Sequence, residues 1–289
     1  MPVQTPFIAG IRLPQRELIG RMNPQLTTAP GRIEIYVHGE RFASYETDKS
    51  IPGFTALYAT GLRAISQPAP PTGHGLWIGH GRVNDIAFDG GAGSGGCIKT
   101  TDLLVRRGPL TVGFQHECGW IAPGGRVLLN EVRTIRVANG PSAGALLDIT
   151  LELMSPPGAA VVFGQDETGL LQARIAGPLL PSGGGQMRNS SDEFGPDGID
   201  GRQAAWCACN GVVLGETVGL ALLDHPGNPW HPPRWVCRAD GVLSPSPFLA
   251  GDFQIDPGRA LELRYRVVVH SGYVEAGWIR ERLADWLRE

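Results

Sequence analysis

The chain has 289 residues with 25 Lys and Arg against 28 Asp and Glu, and Lys49 and Lys99 are its only lysines. A net charge of -3 without a basic cluster excludes a nucleic-acid stripe and a polybasic membrane patch. Forty-one glycines and 24 prolines mark a turn-rich chain, yet 42% hydrophobic content supplies a large core and excludes wholesale disorder.

The first ten residues lack a charged n-region and a continuous apolar run, so no signal peptide is expected. No apolar stretch approaches the ~20 residues that cross a bilayer. The expectation is a soluble, cytoplasmic protein with neither a nucleic-acid nor a membrane partner.

Two-residue alternation predicts strands along most of the chain. Residues 32–38 place Ile33, Ile35 and Val37 on one face. Strands follow over 110–120, 126–137, 146–154, 161–163, 170–175, 203–209 and 212–223. The series closes at 259–270, where Leu261, Leu263, Tyr265, Val267 and Val269 share a face. Pro123-Gly124-Gly125, Asn139-Gly140 and Asn210-Gly211 read as turns between them. Strands of this length joined by short turns make antiparallel sheets.

Glycine-rich residues 89–96 and 182–186 read as flexible loops. The first lacks the Gly-Lys-Ser/Thr and the helix of a phosphate cradle. After Ser271-Gly272, a cap candidate, Val274, Trp278, Ile279, Leu283, Trp286 and Leu287 form one helical stripe, a lid for a sheet. The whole chain, 1–289, is read as one all-β domain of two large antiparallel sheets packed face to face, with its core at about 30–272 and a C-terminal helix at about 273–288.

Cys97, Cys118, Cys207, Cys209 and Cys237 are odd in number and irregular in spacing, which argues against a disulfide framework. Cys207 and Cys209 fall on one strand face as small hydrophobes, and C-x-C lacks zinc-knuckle spacing.

The densest chemistry lies at 223–238, where Asp224, His225, Asn228, His231, Arg234 and Arg238 alternate with Trp230, Trp235 and four prolines. Proline fixes φ and extends the preceding residue, so this loop is stiff and non-helical. Imidazoles, a carboxylate, an amide and indoles together suit a sugar, whose hydroxyls take planar polar partners and whose C–H faces stack on Trp.

Several stretches resemble the PmoA-like family, often labelled "methane oxygenase PmoA". They are 33–45 (IEIYVHGERFASY), 75–84 (GLWIGHGRVN), 120–131, Val162-Phe163-Gly164, 170–174, Asn189-Ser190, Trp206, 223–231 (LDHPGNPWH), Asp240-Gly241 and Ser246-Pro247-Phe248. The resemblance spans about 30–272 in the family's motif order. It implies an antiparallel two-sheet β-supersandwich of galactose mutarotase-like type and a sugar or sugar-derived small-molecule substrate. It does not imply methane oxidation, because membrane spans and a copper-like His/Cys cluster are missing from the sequence. The family's His-His-Arg segment is replaced here by Pro71-Thr72-Gly73-His74, which puts chemistry needing paired histidines in doubt.

The expected activity is general acid–base catalysis on a sugar or keto-sugar, as epimerase, hydrolase or lyase. His225 and His231 are the acid and base candidates, with Glu131 or Asp224 as carboxylate partner. Glu131 has a second reading as an ion pair with Arg133, its same-face neighbour. His74, Trp77, His80, His116, Arg174, Asn189, Asn228, Trp230 and Arg238 are the substrate-binding candidates, with Trp77 and Trp230 stacking on a sugar face. For His116 a buried, satisfied histidine is the competing reading, and for Arg174 a capping arginine. Neither cofactor nor metal is expected. A non-catalytic carbohydrate-binding protein and a site of His74, His80, His225 and His231 around a metal are the alternatives. Homo-oligomerisation stays open.

Overall fold

The computed structural model describes residues 23–90 and 95–289. The segment read for a signal peptide, and residues 91–94 of the glycine-rich loop, lie outside them.

Three antiparallel sheets organise the chain. The first runs, in spatial order, β1 (Gln25–Ala29), β2 (Arg32–Val37), β3 (Glu40–Glu46), β4 (Gly53–Ala59), β6 (Leu76–Ile78), β14 (Leu171–Arg174), β19 (Val242–Ser246) and β18 (Arg234–Cys237), with β5 (Arg63–Ala64) beside β4. The second runs β15 (Gln186–Asn189), β16 (Trp206–Val213), β17 (Glu216–Asp224), β21 (Ala260–Ser271), β12 (Ala145–Met154), β11 (Val127–Asn139), β10 (Thr111–Ile121) and β9 (Cys97–Arg107). A small third sheet orders β20 (Phe253–Ile255), β13 (Val161–Phe163), β7 (His80–Val83) and β8 (Ile86–Phe88).

Alternation is what builds the interior. Along β12, Ala145, Leu147, Ile149, Leu151 and Leu153 are buried while Asp148, Thr150 and Glu152 face outward. The two large sheets meet face to face through such side chains, as in the contact of the Tyr45 ring with Phe114 at 4.7 Å. This is an antiparallel β-sandwich with a C-terminal helix. The third sheet packs its Phe163 against Phe248, ring centroids 4.6 Å apart.

The helix Ala276–Trp286 covers the outer face of β16, β17 and β21. Ala276 and Ile279 pack there on Trp206, Ala208, Ala221, Leu223 and Val268. Both faces of these strands are therefore buried, and Cys207 and Cys209 point into the sandwich interior. All five cysteines are free thiols. Among the described residues no helix is long and apolar enough to cross a membrane.

Two local expectations differ from the structure, and one strand has no counterpart among the expected elements. Asn210-Gly211 is not a turn but lies within β16, and the hairpin turns at Leu214-Gly215, with φ of 50° and 81°. Gly211 is needed for close approach instead: a Cβ there would stand 2.3 Å from the carbonyl oxygen of Pro178. Ser271 ends β21, and the helix begins at Ala276 with Glu275 as its N-cap residue and no side-chain cap bond. The eleven-residue β9 has no clean alternation, because it is a largely exposed sheet edge.

Candidate functional site

β17 ends at Asp224, whose backbone still pairs with β21 opposite Tyr265. The following loop folds on itself, with Asn228 N–H donating to the His225 carbonyl (2.8 Å) and His231 N–H to that of Asn228 (3.1 Å). This returns His231 to the strand end, where its Nδ1–H donates to Asp224 Oδ2 at 2.8 Å. Asn228 Nδ2 donates to Asp224 Oδ1 (2.7 Å) and to the Arg264 carbonyl (2.9 Å), while Asn228 Oδ1 accepts the Arg264 N–H (2.8 Å). Every polar atom of the Asn228 amide is thus engaged within the protein. Asn228 fixes the carboxylate and is not free for a substrate.

Asp224 is 2% exposed. Burial raises its pKa to about 6, against the opposing hydrogen bonds from His231 and Asn228. The His231 side chain keeps 19% exposure, and its Nε2 has no protein partner among the described residues. A buried carboxylate that fixes the tautomer of a half-open imidazole is an arrangement able to take and return a proton.

His225 is not part of that pair. Its Nδ1 accepts the Gly227 N–H at 2.9 Å, and its ring edge meets Trp286 of the C-terminal helix at 4.8 Å. It stands on the wall of an open groove whose floor is the outer face of β11, β12 and β21. Burial lowers its pKa, and the nearby charges of Arg264 and His231 add to this.

Glu131 and His116 lie elsewhere, inside the sandwich. Glu131 receives Arg133 at both oxygens (2.7 and 2.9 Å) and the Trp120 indole N–H at 2.7 Å. Both charged residues are 1% exposed, so this carboxylate reaches no ligand from solvent. Burial opposes the Arg133 charge, but Glu131 outweighs it and raises the pKa. From Arg133 a one-way chain of hydrogen bonds crosses the interior. Arg133 donates to Tyr45 Oη (2.8 Å), Tyr45 to His116 Nδ1 (2.8 Å), His116 Nε2–H to Thr100 Oγ1 (2.8 Å), and Thr100 to the Thr47 carbonyl (2.7 Å). Burial and the Arg133 charge lower the His116 pKa to about 3, so it stays neutral.

The other candidates are dispersed. His74 is buried, with Nε2 on the Ile51 carbonyl (2.8 Å). The His80 nitrogens lie 2.8 Å from the Gly164 carbonyl and 3.0 Å from the Thr168 carbonyl, and the neutral ring donates its one N–H to one of them. His74 and His80 are held by different backbone segments, and no group of three or more His, Cys, Asp or Glu able to hold a metal occurs among the described residues. Trp77 is buried at 4% exposure and has no face for a sugar. Trp230 packs edge-on against Phe253 at 4.6 Å. Arg174 caps a turn through Asp240 Oδ2 (2.6 Å) and its carbonyl (3.1 Å). Asn189 staples its own loop by accepting from Ser191 N–H and Glu193 N–H and donating to Glu193. Arg238 is exposed, 3.4 Å from Glu167.

Sequence reasoning did not single out Thr134, Thr150, Arg264 or Glu262, which line the groove beside His225. The available signal is the polar half of the alternation in β11, β12 and β21, and the helical stripe gives Trp286 a place only in the lid.

No curated protein sequence matches this chain. A solved structure described as "Crystal Structure Analysis of HI1317" is 10% identical, with a TM-score of 0.29, over 86% of this chain and 100% of that one. Residues 32–284 match the family of unknown function DUF6807, and the chain belongs to that family.

Proposed function

We propose that this protein is a carbohydrate-active enzyme of the general acid–base type, an epimerase, hydrolase or lyase, in which His231 moves the proton and Asp224 orients it. The observation that carries the reading is the 2.8 Å bond from His231 Nδ1 to a buried carboxylate, with Nε2 left open on the other side of the ring. The stiff loop, with three of its four prolines at 229, 232 and 233, holds that geometry before a substrate arrives. The PmoA-like resemblance and the mutarotase-like supersandwich it implies belong to this proposal, as does a cytoplasmic setting. The substrate is a small-molecule sugar or keto-sugar, and no cofactor takes part in the proposed chemistry.

Ordinary glycosides, 3-keto-glycosides and free aldoses form the test panel. Turnover of at least one, abolished in His231→Ala with the fold intact, is the expected result. Absence of turnover on all three classes, or turnover retained by His231→Ala, overturns it. A second reading, a carbohydrate-binding protein without catalysis, is favoured by the lost histidine pair at 71–74 and the burial of the remaining His74. Saturable sugar binding without turnover would establish that reading instead.

A further inference from the structure

The register of the second sheet lines up side chains that are far apart in sequence. Thr134 on β11 stands opposite Thr150 on β12, and Thr150 opposite Arg264 on β21. One row along, Arg136 stands opposite Asp148, and Asp148 opposite Arg266. All six are on the outward face of the sheet.

The charges in this region satisfy one another. Arg266, nearly buried, donates to Asp148 (2.5 and 3.0 Å) and to Glu289 (2.6 Å), and its guanidinium lies 5.0 Å from the centre of the Trp286 ring. Arg136 joins the same cluster, 3.6 Å from Asp148 and 3.3 Å from Glu289. Arg264 donates to Glu262 at 2.6 Å. Three guanidiniums therefore face three carboxylates. What remains unengaged on the floor is the pair of hydroxyls of Thr134 and Thr150, which have no protein partner among the described residues. Above them lies about 590 Å³ of open space, walled by Trp286 and His225.

This chemistry selects its ligand by elimination. An anion meets arginines that already hold carboxylates, and a cation meets carboxylates that already hold arginines. An apolar ligand would strip water from two hydroxyls and an exposed ion pair without replacing the hydrogen bonds, at about 1–3 kcal/mol for each group left unpaired. A neutral polyol matches, because each of its hydroxyls donates and accepts as threonine does, and the C–H groups at its rim meet an indole wall. The space is within the usual range of roughly 300–1,000 Å³ for small-molecule sites.

We infer that the groove over Thr134 and Thr150 binds a neutral sugar, the ring lying across the two hydroxyls with Trp286 at its edge. The site deepens the carbohydrate reading above and rests on it for the link to His231, which belongs to the same loop as His225. Arg264 ties the two together: its side chain borders the groove while its backbone is held by Asn228.

The test follows threonine methyl and indole NMR signals during titration with glucose, galactose, xylose, maltose and, as the charged comparison, glucuronate. A neutral sugar is expected to shift the Thr134 and Thr150 methyls and the Trp286 indole at millimolar concentration. Thr150→Val, of nearly the same shape on an outward face, should weaken that affinity about fivefold or more, roughly 1 kcal/mol or more. Trp286→Ala should do the same. No shift in these signals with any sugar, shifts confined to other residues, an unchanged affinity in Thr150→Val, or tighter binding of glucuronate than of every neutral sugar each overturn the groove assignment. The two readings fail separately. Turnover that requires His231 but is indifferent to Thr150→Val and Trp286→Ala removes the groove and keeps the acid–base site. Groove binding without turnover does the reverse.

Discussion

Asn228 holds Asp224 from the side opposite His231: its amide donates 2.7 Å to Oδ1 while the imidazole donates 2.8 Å to Oδ2. The same amide is anchored on both backbone polar groups of Arg264, so the loop and the central strand β21 form one unit. Asn228→Ala strands the Arg264 N–H and one carboxylate oxygen. The expected loss is about 2–3 kcal/mol of stability, read as a lower urea midpoint at unchanged slope. A midpoint equal to wild type would show that the clamp is not formed.

Asp224→Asn separates stability from chemistry. The amide keeps the shape but removes a charge that burial disfavours, so the unfolding midpoint should hold or rise. Turnover should fall by about 10²–10⁴-fold, the usual scale for removing the group that sets an imidazole's tautomer and stabilises its charged form. Equal turnover in this variant would remove Asp224 from the mechanism.

Glu131→Gln should behave in the opposite way. It leaves the Arg133 guanidinium buried without a counter-charge, at a cost of about 3–5 kcal/mol. Sugar affinity in the folded fraction should not change, because this carboxylate faces the interior. Urea denaturation and a binding titration on the same preparation check both halves.

Acid should weaken the fold. Burial, the largest cause in each case, lowers the pKa of His116 to about 3 and of His270 to about 4, and also lowers those of His74 and His80. A histidine depressed in the fold binds more protons unfolded, so its contribution is lost as pH falls below the ordinary value of about 6.5. Asp224 acts in the other direction, since a raised carboxyl favours the folded state as pH falls below about 6. Two histidines at about 2–3 kcal/mol each against about 2 for Asp224 leave a net loss of about 3 kcal/mol from pH 7 to 4.5. Urea midpoints at the two pH values measure it; a midpoint that rises on acidification contradicts the burial of these rings.

Strands that are wet on one face were legible as alternation, which is why β2, β10, β11, β12 and β21 could be read from residues alone. β6 and β19 are buried on both faces and show no period, and β9 is exposed almost throughout. Residue density alone exposed the Asp224, Asn228 and His231 cluster, since its members lie within eight positions. Separating Glu131 from that loop requires knowing which face of β11 looks inward. The Thr134, Thr150 and Arg264 row was invisible, because it exists only through pairing of β12 with a strand more than a hundred residues later.

That late pairing also shapes how the chain reaches its native state. β12 has β21 as its neighbour, so during synthesis β9 to β12 are complete long before the strand that covers the open side of β12 leaves the ribosome. Until then β12 offers an unpaired edge with five apolar side chains on one face, a template for association with another nascent chain. Contacts of such sequence separation close slowly. The protein should therefore refold slowly and need dilution or chaperone help, with β21 as the strand whose arrival makes the second sheet continuous.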